Sequence, residues 1–198
     1  MEKILICTGN KGKFLEINDL LKGLKVETKS LSDVGISFEP TEDGKTYEEN
    51  AALKAKVYGK AANMLAIADD AGIEVEALNG MPGINAKRFF KSSYEDRNRE
   101  LLNMIKNSSN KKAKFVSGVA VFDPKTNITK TFRGEVAGEL VEPKGKAHID
   151  LGYDTILKIN SIGKTFGECG MQEKNLVSHR AIAVNKAKEY LKTTLKKG

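Results

Sequence analysis

The residues best suited to chemistry begin with an adjacent acidic pair, Asp69-Asp70, placed where the apolar run of residues 65–68 stops and followed by Ala71-Gly72. Neighbouring like charges repel, so either a turn or a cation must offset the cost. Asp and Gly both favour turns, which accounts for one aspartate better than for two. A third carboxylate, Glu42, lies in an upstream loop with Pro40 and Gly44. Magnesium takes hard oxygen ligands, commonly one or two carboxylates, and leaves waters and substrate phosphates to complete its shell. The pair with Glu42 therefore leans towards a metal site, with Gly72 expected to turn the chain and present the carboxylates.

A second group is Thr8-Gly9-Asn10-Lys11-Gly12-Lys13, set between an apolar run and a helical pattern. Backbone N–H groups at a helix start attract anions, and glycine lets a phosphate approach closely. The spacing is not that of a Walker A loop, and a plain strand-to-helix turn capped by Asn10 explains the segment equally well. Asn50 and Lys54, four apart, share a helix face. On their own they read as a solvated face, or else as a lysine aimed at phosphate. In Ser178-His179-Arg180, Ser178 caps a helix and puts two basic residues in its first turn, where the dipole disfavours cations. That misplacement hints at a ligand, although a surface helix start with tolerated charges also fits.

The elements that must hold these residues follow from periodicity. Residues 3–7 form a strand, and Phe14, Ile17, Leu20, Leu21 and Leu24 recur at helical spacing. A short strand at 26–29 and a loop at 30–45 come next. Thr46-Tyr47-Glu48-Glu49 is a capping box opening a helix to about Asn63. Strands are expected at 65–68 and 73–75, a turn-rich loop at 79–83 and a helix at 94–106. Residues 113–122 and 129–141 alternate as a hairpin, and the last helix runs from Ser178 to about Leu195. No repeat or linker interrupts the series. The pattern is one α/β domain over residues 1–198, with a mixed sheet that alternates with helices first and is antiparallel afterwards.

Bulk properties narrow the partners. Hydrophobic content of 40% and charged content of 30% are those of a globular protein. A net charge of +7 favours an anionic partner. A nucleic-acid binder is disfavoured, because aromatics are 7% of residues and no basic-aromatic motif occurs. No apolar run is long enough to span a membrane. The start at Met1 runs straight into a strand without a signal peptide, and the only cysteines are Cys7 and Cys169. A cytoplasmic location is the expectation. Two histidines, His148 and His179, argue against a multi-histidine zinc site.

Taken in order, the stretches TGNKGKFLE, TYEENAALKA, IADDAGIEVEALNGMPGINAKRF, LGYDTIL and EKNLVSHRA resemble the inosine/xanthosine triphosphate pyrophosphatase family, which removes nonstandard purine nucleotides. The resemblance implies an elongated α/β domain whose mixed twisted sheet and flanking helices form two lobes around a cleft, usually in a homodimer. It implies magnesium-dependent cleavage of a purine nucleoside triphosphate such as ITP, dITP or XTP to the monophosphate and pyrophosphate. Thr8 to Lys13 would bind phosphate, joined by Lys54. Glu42 and Asp70 would hold the metal, and Asp70 would also take the water's proton, with Asp69 and Lys13 completing the catalytic set. Ala71, Arg88, Gly152, Tyr153 and Asp154 would contact the substrate, and Lys174, His179 and Arg180 would read the purine edge.

The chain departs from that pattern in the base pocket. Leu151 stands where a stacking phenylalanine is usual, and Lys144-Gly145-Lys146-Ala147-His148-Ile149-Asp150 replaces a glycine-rich run. Ala71 replaces a serine, Thr155 a proline, and Ala86-Lys87-Arg88 a Ser-Ala-Arg pattern. Loss of an aromatic stack removes roughly 1–3 kcal/mol per base. The same pyrophosphatase chemistry with an altered or broader base set is therefore a second expectation, and a non-catalytic nucleotide-binding protein a more distant one.

Overall fold

The computed structural model of the chain describes residues 1–86, 89, 93–148 and 152–195. Of the expected site residues, Arg88 and Leu151 lie outside the described residues. Along the chain run β1 (Glu2–Ile6), α1 (Lys11–Leu20), β2 (Val26–Lys29), α2 (Tyr47–Ala62), β3 (Leu65–Val75) and α3 (Tyr94–Met104). Then come β4 (Lys112–Asp123), β5 (Ile128–Leu140), β6 (Leu157–Ile159), β7 (Lys164–Thr165), α4 (Met171–Val177) and α5 (His179–Thr194). Among the described residues, seven strands join one sheet in the order β2-β1-β3-β4-β5-β6-β7. β1 pairs in parallel with β2 and β3, and every pairing from β3 onward is antiparallel. This is the mixed sheet expected, with β6, β7 and α4 added.

The acidic pair does not end a strand. Residues 65–75 form one strand, paired with β4 from Ala66↔Phe122 to Val75↔Ala113. The expected turn at Gly72 is therefore absent. A long partner strand satisfies the backbone groups here and overrides the local turn preference of Asp-Asp-Ala-Gly. Glycine is required at 72 for another reason: a Cβ there would sit 2.3 Å from the Gly83 carbonyl oxygen and 3.0 Å from the Tyr47 hydroxyl.

Successive strand residues face opposite sides of a sheet, and this sorts the core. Ile4, Ile6, Ile67, Val119 and Val121 pack against Ile17 and Leu20 of α1 and Val184 and Leu191 of α5. Leu5, Cys7, Ala66, Ala68 and Phe122 pack on the other side against Ala51, Ala55 and Tyr58 of α2. Beyond the acidic pair, Ile73 and Val75 enter a third cluster with Phe115, Leu140, Leu157, Phe166 and Leu101 of α3. The sheet thus carries two lobes, and β3 and β4 pass through both. Asp69 and Asp70 stand at the junction.

Candidate active site

A cavity of about 360 Å³ opens at that junction. One wall is the β1–α1 turn. Asn10 caps α1 by accepting from the Lys13 N–H at 2.8 Å, and the Asn10 N–H donates to Thr8 Oγ1 at 3.1 Å. Thr8, Gly9, Asn10 and Lys13 line the cavity. Lys11 is exposed and Gly12 buried, both off the wall. The helix start thus turns the positive end of its dipole and one lysine towards the space, an arrangement suited to phosphate.

The opposite wall comes from α2, the 30–45 loop and β3. Thr46 caps α2 by accepting from the Glu49 N–H, while the Glu49 carboxylate reaches the Lys45 N–H, one residue before the cap. α2 lies close on β4: a Cβ at Gly118 would come within 2.5 Å of the Glu48 nitrogen. That approach brings Asn50 and Lys54 over β3. Asn50 Nδ2 donates to Asp70 Oδ2 at 3.0 Å, and Lys54 Nζ lies 3.7 Å from Asp70 Oδ1 and 3.0 Å from Glu42 Oε1. Burial works against the Lys54 ammonium, but Asp70, Asp69 and Glu42 outweigh it and raise its pKa. Glu42, Lys54, Asp70 and Ala71 all line the cavity.

Magnesium can be tested against this donor set. Among the described residues no group of three His, Cys, Asp or Glu side chains converges to hold an ion. Glu42 and Asp70 are two hard carboxylates meeting on one cation. Two such ligands beside a phosphate-binding helix start match a cation that keeps waters and substrate phosphates in its shell. The residues fit the ion.

Asp69 points to the other face and is off the cavity wall. Its Oδ2 accepts from Arg180 Nε at 2.9 Å and lies 3.2 Å from Lys13 Nζ, with the side chain fully buried. Burial pushes the Asp69 carboxyl up, but Lys13, Arg180 and Lys54 prevail and hold it well below the usual range. Arg180 Nη1 also pairs with Glu16 Oε2; Glu16 Oε1 lies 2.7 Å from Lys174 Nζ, and Lys174 pairs in turn with Asp154. Lys13, Asp69, Arg180, Glu16, Lys174 and Asp154 form one chain of alternating charge, of which Lys13, Arg180 and Asp154 reach the cavity wall. A buried charge needs such pairing, and these partners come from α1, β3, the 152–155 turn, α4 and α5.

The far end of the cavity carries Phe115, Gly152, Tyr153, Asp154, His179 and Arg180. Asn98 of α3 fixes the 152–155 turn by donating to the Gly152 carbonyl at 2.7 Å, and the Tyr153 hydroxyl donates to the Ala86 carbonyl. Lys174 is buried and stands behind this wall. His179 stacks on Phe115 with centroids 4.9 Å apart, and among the described residues its buried Nδ1 has no hydrogen-bond partner. Burial, with Arg180 and Lys174 nearby, drives its pKa well below the ordinary value. The expected pair of cations at the start of α5 is therefore one cation and one neutral ring. Arg180 is balanced by Asp69 and Glu16, which answers the dipole objection.

Glu16, His148, Tyr58, Arg97 and Phe115 carry no role in the sequence analysis. Tyr58, Arg97 and Phe115 line the cavity, whereas Glu16 and His148 act behind it. Glu16 falls inside TGNKGKFLE, but nothing local distinguishes it from a solvated helix residue.

A family model described as the Ham1 family matches residues 4–190. The chain belongs to the Ham1 family. A curated relative from Thermoanaerobacter sp., named dITP/XTP pyrophosphatase, is 38% identical over 194 residues, covering 96% of each chain. A relative of the same name from Deinococcus deserti is 39% identical over 184 residues, covering 92% of this chain and 86% of its own. The solved Staphylococcus aureus Ham1 protein superposes with a TM-score of 0.85 at 33% identity, covering 98% of this chain and all of that one. These likenesses agree with the family resemblance and with the two-lobed α/β fold.

Proposed function

We propose that this chain is a nucleoside triphosphate pyrophosphatase that cleaves nonstandard purine nucleotides of the dITP, ITP and XTP class to the monophosphate and pyrophosphate. The observation that carries the reading is the meeting of Glu42 and Asp70 on Lys54 beside the Asn10-capped helix start, in one cavity. The family supports the same reading, since its relatives bear the name dITP/XTP pyrophosphatase.

In this reading a water attacks the α-phosphorus, the bond between the α and β phosphates breaks, and pyrophosphate leaves. Asp70 takes the proton of the attacking water. Asn50 holds one oxygen of that carboxylate and leaves the other towards the cavity side where Lys54 stands. Lys13, Lys54 and the positive start of α1 hold the charge that builds on the leaving phosphates. Magnesium, held by Glu42 and Asp70 when bound, supplies further neutralisation of phosphate charge. At the far end, neutral His179 and the Arg180 guanidinium offer the purine an orphaned ring nitrogen and a donor. Asp69 serves from behind by holding Arg180 and Lys13 in place.

A panel of nucleoside triphosphates with magnesium tests this directly. Pyrophosphate released from dITP and XTP well ahead of ATP is the expected result. Orthophosphate release, or no turnover of any nucleotide, would overturn it. Leu151 in place of a stacking aromatic favours a broader base set as the second reading, and equal rates on ATP and ITP would select it.

A further inference from the structure

The segment that departs most from the family resemblance supplies a side chain to which the chemistry above gives no task. Its start is fastened through backbone: the Lys144 N–H donates to the Thr155 carbonyl at 2.9 Å, and the Lys146 N–H to the Gly167 carbonyl at 2.8 Å. The Thr165 hydroxyl donates to the Lys144 carbonyl at 3.1 Å. This anchoring brings His148, whose side chain is 12% exposed, to Asp154, with Nδ1 2.8 Å from Oδ2. Lys174 Nζ binds the same oxygen at 2.5 Å. A carboxylate accepts only, so Nδ1 carries the proton and the tautomer is set. The lysine, itself held by Glu16 at 2.7 Å, gives that oxygen one direction of contact. The ring, held by a fastened segment, adds a second direction.

Asp154 stands on the cavity wall with Gly152, Tyr153 and His179. An aimed carboxylate there accepts from a purine edge that presents N–H and opposes one that presents a lone pair. Its aim therefore enters both affinity and discrimination. Building on the pyrophosphatase reading, we propose that His148 is a positioning residue for base recognition: its Nδ1–H fixes the Asp154 carboxylate at the nucleoside end of the cavity. Among the described residues His148 pairs with Asp154 and with no phosphate-binding or metal-binding residue, so its effect falls on nucleotide binding and leaves the chemical step alone.

The test compares wild type with His148→Ala and His148→Asn, whose side-chain N–H replaces Nδ1–H. Steady-state kinetics on dITP and ATP are read with thermal melting. His148→Ala is expected to raise KM for dITP about 10-fold with kcat within about two-fold, and to shrink the dITP-to-ATP ratio of kcat/KM by a similar factor. His148→Asn is expected to restore most of both. An unchanged KM in His148→Ala overturns the proposal. So does an equal loss on both substrates that follows the melting temperature and is not rescued by Asn, because that marks a purely structural role. If the wild type turns over no nucleotide, the pyrophosphatase reading fails separately. Calorimetric titration of the three proteins with dITP then decides: weaker binding in Ala alone supports the positioning role, and equal binding in all three overturns it.

Discussion

Asp69 and Asp70 are neighbours in sequence and belong to different regions of the molecule. Asp70 enters the cavity on the α2 side and shares Lys54 with Glu42. Asp69 enters the buried interior on the α1 and α5 side, where Arg180, Glu16, Lys174 and Asp154 continue the run of alternating charge. The strand's period of two makes this division. One carboxylate is left on the cavity wall, and the other is consumed in neutralising buried cations. A buried ion pair contributes little against an apolar alternative, but removing one partner strands the other. Adjacent residues of identical type should therefore fail in opposite ways.

Asp70→Asn gives the largest expected effect, a fall in turnover of roughly 10³-fold with an almost unchanged melting temperature. Its amide can still meet Asn50 by turning its oxygen towards Nδ2. Activity near the wild-type level would reduce Asp70 to a strand residue. Asp69→Asn should show the reverse emphasis. Loss of the counter-charge to Arg180 and Lys13 costs about 3–5 kcal/mol of stability, read from urea unfolding. A stable but inactive Asp69 variant would move that residue to the cavity side of the comparison.

Smaller effects sharpen the same contrast. His179 is neutral when folded and has a pKa below its ordinary value of about 6.5. Unfolding therefore takes up a proton below that pH. Stability is full above it and declines on acidification, by up to about 1.4 kcal/mol per pH unit. Urea titrations between pH 5 and 8 should show this slope in the wild type and its loss in His179→Gln; a slope retained in the variant would place the titrating group elsewhere. Asp69 follows the same direction in a lower window: its contribution is full above the ordinary carboxylate range and is lost progressively as the pH falls through that range and below it. Thr46→Ala, which removes only the cap of α2, should cost about 1 kcal/mol. It should shift KM little, because α2 is also held through Ala51, Ala55 and Tyr58 in the core.

The reading from sequence succeeded where the signal is local. Asn10, Thr46 and Ser178 cap the helices they were expected to cap, since an N-cap needs only its own residue and the next turn. The alternating hairpin of β4 and β5 was legible for the same reason. α4, β6 and β7 went unread because seven, three and two residues are too few to show a period. Lys174 and Glu16 were opaque in another way. Their burial depends on partners far along the chain, Asp154 for one and Arg180 for the other.

What the sequence determined by itself was a set of residue types suited to phosphate and metal, and the helix starts and strands that carry them. Tertiary structure alone decided which of those residues face the cavity. It drew 65–75 into a single strand because β4 offered a full ladder of partners, and so erased the turn that local preference favoured at Gly72. That continuity sent Asp69 and Asp70 to opposite faces, made one of them part of a buried ionic core, and left the other beside Glu42 and Lys54. A two-residue alternation is fixed in the chain, but which side is interior depends on what packs against it.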